Sequence, residues 1–174
     1  MAELTVKILV FGLFPAALVF AAMSDVVSRR IPNAVSGALL VGFLVLALAS
    51  GMSLPAFGAS LGVGALALAL GFAMFAIGQM GGGDAKLIAV TMPWFGWSLA
   101  ALEYAAAFSL IGVVITLPFL LRRLAPVGSV MFANRVAMRL MGTPHNGRET
   151  PYGVAIAAGG LLLVPPLARM HGAM

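Results

Sequence analysis

The sequence predicts an all-α polytopic membrane protein of about six transmembrane helices, with a short amphipathic helix on the cytoplasmic side. Three observations carry this. Of 174 residues, 62% are hydrophobic and only 9% charged, against about a quarter charged in soluble domains. The apolar residues gather into runs near the roughly 20 residues that cross a bilayer core. The ten Lys/Arg residues behind the net charge of +5 are spread between those runs. They form no single basic surface, so no nucleic-acid partner is expected. Cysteine is absent, which excludes disulfides, cysteine-ligated zinc and thiol catalysis. Residues 1–174 read as one integral-membrane domain.

The first span runs from about Leu4 to Met23 and the second from about Ala34 to Ala49. Gly51, Ser53 and Pro55 mark the turn after it. The third covers about Ala56 to Gln79 and stops at a glycine run, with Gly58, Gly62 and Gly64 expected to permit close helix packing. From Lys86 to Leu121 no linker is visible, yet one helix of that length would measure about 54 Å at 1.5 Å per residue. Two spans broken near Gly96 to Glu103 are therefore expected, with Trp94, Trp97 and Tyr104 as interfacial anchors and Glu103 at the interface. The sixth span is about Tyr152 to Leu167. Before it, Val127–Met141 places Arg135 and Arg139 one helical turn apart beside Val130, Met131, Met138 and Leu140, the pattern of a helix lying on the membrane surface. Residues 142–151 form the most polar loop. His145 and Glu149 within it are too few to make a zinc site, and no metal or cofactor is expected.

Positive charge orients the bundle. With the N-terminus outside, the cytoplasmic loops hold Arg29, Arg30, Lys86, Arg122, Arg123, Arg135, Arg139 and Arg148, leaving Lys7 and Arg169 opposite. An eight-to-two split of the ten basic residues selects that orientation. A cleaved signal peptide is the competing reading of the first span. Glu3 cancels Lys7 there, and Arg29-Arg30 after the span suits a cytoplasmic end.

This topology brings Asp25 and Asp84, two of five acidic residues, to the same membrane face. Carboxylates at membrane depth are costly unless they face a polar cavity or a partner, so each is a candidate functional residue. Two carboxylates sharing a site repel, so the pair holds one proton near working pH. The ionised member can take a proton from water while the other polarises or protonates a scissile amide. The protons belong to the pair. Gly81, Gly82 and Gly83 precede Asp84, and without side chains they can take positive φ and let a substrate backbone approach. The same run also reads as a plain turn between helices. It is not a phosphate-binding loop, since no strand precedes it and the Lys-Ser/Thr ending is missing. Lys86 reads as a snorkelling anchor.

Gly81-Gly82-Gly83-Asp84 matches the Gly-x-Gly-Asp motif of intramembrane aspartyl peptidases. The chain most resembles the type IV prepilin peptidases. Ser24-Asp25, followed by Arg29-Arg30-Ile31-Pro32-Asn33, resembles that family's first aspartate motif, and Gly83-Asp84-Ala85-Lys86-Leu87 the second. Pro151-Tyr152-Gly153 resembles the Pro-aromatic-Gly segment that opens the family's last helix. The resemblance spans residues 10–165. It implies Asp25 and Asp84 as catalytic residues, with Gly81, Gly82, Gly83, Pro32, Asn33, Pro151, Tyr152 and Gly153 shaping the site. Long members of the family carry a cytoplasmic domain with paired Cys-x-x-Cys motifs and an N-methyltransferase function. With no cysteine and no room for that domain, this chain looks like the short, peptidase-only branch that serves tight-adherence (Flp-type) pili. The implied partner is a prepilin whose basic leader is cut on the cytoplasmic side of a bacterial inner membrane.

Several of these residues have local readings as well. Pro32 restrains the turn into the second span, and Asn33 is expected to cap that helix. Arg29 and Arg30 serve topology or contact anionic lipid headgroups. Two other functional classes stay open on the sequence: a small proton-coupled transporter using the aspartates as a relay, and a non-catalytic assembly protein of a pilus or secretion machine. A related enzyme reading is an intramembrane peptidase acting on signal-peptide remnants or preflagellins.

Overall fold

The computed structural model describes residues 1–124 and 152–173, and these are helical with short connections. The first helix, α1 (Ala2–Ser28), is continuous but changes pitch through a π-helical turn at Leu9–Leu13. Pro15 explains the change: it has no amide to donate back along the helix, and the widened turn accommodates its ring. Helix α1 ends at Ser28, five residues beyond the expected end of the first span, and closes at Arg29 in the left-handed conformation (φ 54°), whose amide donates to the Asp25 carbonyl at 3.0 Å. A non-glycine residue there carries strain of order 1 kcal/mol. Ser24 and Ser28 hold the turn, their hydroxyls donating to the Arg30 carbonyl at 2.7 and 3.2 Å.

Helix α2 (Asn33–Ala49) begins after Pro32, which holds the N-cap position with extended backbone. Asn33 does not cap it, contrary to expectation. It is the first helical residue, and its Oδ1 accepts a hydrogen bond from Lys86 Nζ at 3.2 Å instead. Helix α3 (Leu54–Ala76) has Ser53 as its N-cap, the hydroxyl accepting from the Ala56 amide, with Pro55 in the first turn. Helix α4 (Gly82–Phe95) ends at Gly96 (φ 59°), and α5 (Leu99–Leu124) follows after two residues. The break between them falls within the expected stretch. After the undescribed residues, α6 (Tyr152–Leu162) and α7 (Val164–Met170) form a pair bent by 51°.

Among the described residues three helices are long and apolar enough to cross a membrane: Ala2–Ser28, Leu54–Ala76 and Leu99–Leu117. The bent α6–α7 pair makes four if counted as one span. Six full crossings were expected, and the difference has a geometric cause. α2 has 17 residues and α4 has 14, so they measure about 26 and 21 Å at 1.5 Å per residue, short of a core about 30 Å thick. Large apolar side chains such as Val27, Leu48, Leu66, Phe72, Leu110 and Val114 are exposed on the outside. Lipid chains, unlike water, make that surface cheap, and the protein is a membrane protein.

The core runs between α1, α2, α4, α5 and α6. Phe14 packs on Trp94 with ring centroids 4.8 Å apart, and Phe95 on Tyr104 at the same distance. Trp94 and Tyr104 are therefore not interfacial anchors. Both are fully buried. Trp94 Nε1 donates to the Leu39 carbonyl at 3.1 Å; the Tyr104 hydroxyl lies 2.9 Å from Thr91 Oγ1 and donates to the Ile156 carbonyl. Burial of the apolar rings, with their polar tips satisfied, wins over an interfacial position. Trp97 alone of the three is exposed, at 77%.

Among the α3 glycines only some serve packing. A Cβ at Gly64 would stand 2.7 Å from Pro93 Cγ, and one at Gly71 would stand 2.9 Å from Ala85 Cβ, so α3 meets α4 through these two. Gly58 and Gly62, expected to do the same, face open space.

Candidate active site

One end of the bundle gathers the C-termini of α1 and α3 and the N-termini of α2, α4 and α6 around a cavity of about 760 Å³. Asp25 and Asp84 both line it, brought together across 59 positions (84 minus 25). Both are buried, at 7% and 8% exposure.

Each carboxylate is associated with the start of a helix, Asp84 as part of one and Asp25, from the last turn of α1, as the acceptor of another's amide. Asp84 is in the first turn of α4, and Asp25 Oδ2 accepts a 2.9 Å hydrogen bond from the Gly153 amide in the first turn of α6. The first amides of a helix have no partner within it, and together with the helix dipole they favour a carboxylate there. Gly153 has to be glycine: a Cβ would lie 2.8 Å from Asp25 Oδ2 and 3.0 Å from its Cβ and Cγ.

Gly81, Gly82 and Gly83 line the cavity, but none has positive φ. Gly81 is the N-cap of α4 with extended backbone, and Gly82 and Gly83 are helical. Their contribution is close approach. A Cβ on Gly83 would meet Ile31 Cβ at 3.3 Å, and one on Gly81 would meet Asp84 Oδ2 at 2.9 Å. The positive φ in this connection belongs to Gly78 (φ 72°), which closes α3.

Asn33 and Tyr152 complete the expected residues on the cavity wall. Pro32 is not part of that wall and acts through the α2 start; Pro151 lies outside the described residues, as do the surface helix at 127–141 and the loop at 142–151. Lys86 lines the cavity and ties α4 to α2 through Asn33, so it links helices as well as carrying charge. Arg29 and Arg30, assigned to topology from the sequence, are wall residues too, as are Phe75 and Gln79. The arginines follow Asp25 by about one helical turn, a spacing that offered a signal. Phe75 and Gln79 reach the site only because α3 folds back, and no local pattern marks them.

The cavity thus has a buried acidic base with Arg29, Arg30 and Lys86 among its walls. Lys7 and Arg169 lie at the other end, Lys7 paired with Glu3 at 2.6 Å. Among the described residues no three His, Asp or Glu side chains gather as metal ligands. What the arrangement supplies is two carboxylates and hydrogen-bond donors around a space large enough for an extended peptide segment.

No curated protein and no solved structure matches the chain significantly. The model of the type IV leader peptidase family matches residues 12–121. That stretch covers more than half of the chain and contains both aspartates, the turn after α1 and the glycine-rich start of α4. The chain belongs to the type IV leader peptidase family.

Proposed function

We propose that the protein is an aspartic endopeptidase that removes the leader peptide from prepilins, of the Flp type, at the cytoplasmic face of a bacterial inner membrane. The observation that carries this is the burial of Asp25 and Asp84, from two different helices, in the wall of one cavity. Two carboxylates in one low-dielectric site hold a proton between them. The ionised member takes a proton from water, whose oxygen attacks the scissile carbonyl; the protonated member delivers its proton to the leaving nitrogen. Gly81, Gly82 and Gly83 line the same cavity and offer backbone to a substrate chain lying in it. Orientation follows from charge: Arg29, Arg30 and Lys86 are at the cavity end, and cytoplasmic ends favour Lys and Arg. The same arginines suit anionic lipid headgroups. The Flp assignment rests on the resemblance set out above, together with the absence of cysteine among these 174 residues.

The test is cleavage of a co-reconstituted Flp-type prepilin, with the cut bond mapped by mass spectrometry. Wild type cleaves; Asp25→Asn and Asp84→Asn each lose about 10²–10⁴-fold or more, the range of general acid–base catalysis, while still inserting and melting normally. Full activity in either variant would sink the two-aspartate mechanism. Cleavage of other type IV precursors with Flp prepilins left intact would remove the substrate assignment.

A further inference from the structure

We propose that Tyr152 is a third catalytic group, its phenol donating a hydrogen bond to the scissile carbonyl oxygen, and that Gly112 is the positioning residue that holds its ring. This rests on the two-aspartate reading above. Tyr152 is half-buried and shares the cavity wall with Asp25 and Asp84. Its main chain is anchored at the site, because the amide of the next residue, Gly153, is bonded to Asp25. Its ring is anchored from α5. A Cβ at Gly112 would stand 2.6 Å from Tyr152 Cε2 and Cζ and 2.7 Å from the hydroxyl oxygen, so the ring edge occupies the notch left by a missing side chain.

That notch has a chemical consequence. The Asp84 carboxylate is within electrostatic reach of the Tyr152 hydroxyl, and among the described residues no hydrogen bond joins the two. Carboxylates are strong acceptors, yet seating the ring edge on α5 keeps the donor from being spent on one. A phenol ordinarily holds its proton until about pH 10, so at working pH it is a donor and not a base.

In the reaction, water oxygen bonds to the carbonyl carbon and a water proton passes to the ionised aspartate. The carbonyl π pair moves onto oxygen, where the Tyr152 hydroxyl meets the growing negative charge. When that pair returns, the C–N bond breaks and the protonated aspartate gives its proton to nitrogen. Tyr152 begins and ends protonated. A donor placed where charge develops lowers the barrier without holding the ground state more tightly.

The experiment is steady-state cleavage of a prepilin by the full chain in liposomes, with melting followed in parallel. Tyr152→Phe is expected to lower kcat about 10²-fold, as loss of one such donor does, with KM within about twofold. Gly112→Ala, which displaces the ring, lowers kcat similarly, and the double variant is no slower than Tyr152→Phe because no hydroxyl remains to misplace. Wild-type kcat in Tyr152→Phe, or a rise in KM alone, overturns the donor role. Additive losses in the double variant overturn the positioning role of Gly112. Should Gly112→Ala fail to fold, Tyr152→Phe decides the donor by itself. Loss of cleavage in both Asp→Asn variants with unimpaired Tyr152→Phe overturns only the phenol; cleavage by either Asp→Asn variant overturns the reading beneath it.

Discussion

The amide of Gly153 donates to Oδ2 of Asp25 at 2.9 Å, joining the first turn of α6 to the last turn of α1 across 128 positions. A candidate catalytic carboxylate thereby satisfies an amide that the geometry of a helix start leaves unpaired. Holding Asp25 and anchoring α6 are one interaction.

Gly153→Ala therefore separates helix propensity from site geometry. Alanine is about 1 kcal/mol better than glycine within a helix, but its Cβ would lie 2.8 Å from Asp25 Oδ2. Prepilin cleavage is expected to fall at least about tenfold, the scale of a small misplacement of a reacting group. Kinetics and melting on the same preparation check it; wild-type turnover would mean the carboxylate has freedom to move aside.

The α3–α4 contact predicts opposite outcomes for glycines two residues apart. At Gly64 a methyl group meets Pro93 Cγ at 2.7 Å and the Ala89 carbonyl oxygen at 2.8 Å, so Gly64→Ala should cost about 1–3 kcal/mol. At Gly62 it meets nothing within 4 Å, and Gly62→Ala should be neutral or stabilising by up to about 1 kcal/mol. Detergent-solubilised unfolding measurements distinguish the pair.

Trp94→Phe and Trp97→Phe should likewise differ. The first removes a buried donor to the Leu39 carbonyl and part of the Phe14 contact, at a cost of at least about 1 kcal/mol. The second changes a ring that is 77% exposed and should leave the melting temperature unchanged. Equal effects would contradict the burial of Trp94.

His171, just beyond α7, lies with Nε2 2.9 Å from the Trp94 carbonyl oxygen. Burial pushes its imidazole below the ordinary value of 6.5, outweighing the upward pull of that backbone bond. Below about pH 6.5 the unfolded chain then binds the proton more readily than the folded one, so the contribution is present above that pH and lost as pH falls. Melting temperature should decline from pH 7.5 to 5.5 more steeply in wild type than in His171→Gln, the difference between the two profiles isolating the histidine. Parallel profiles would remove it from the pH response.

Much of the segment-level organisation was readable from residues in a row. Long apolar runs have to become helices in lipid because no water is present to satisfy an open backbone. Pro55, the Gly78–Gly81 connection and Gly96 interrupt those runs where the helices stop. Two carboxylates among so many apolar residues stood out for the same reason: charge there is expensive and needs a use.

Neighbour relations were not readable. Trp94 and Tyr104 have the composition of anchors but turn into the core, and Asn33 gives its side chain to Lys86, 53 positions away, instead of to its own helix. Gly112 carries no local mark at all; its meaning arises from the Tyr152 ring lying across it. The sequence by itself determined the helical class and most of the breaks, and singled out the two aspartates as candidates, because transfer into lipid and backbone hydrogen bonding act on each segment alone. Only the tertiary structure decided how many helices are long enough to cross, which glycines are contact points and which wall residues surround the carboxylates. Those depend on close packing between side chains far apart in the chain, which local composition does not encode.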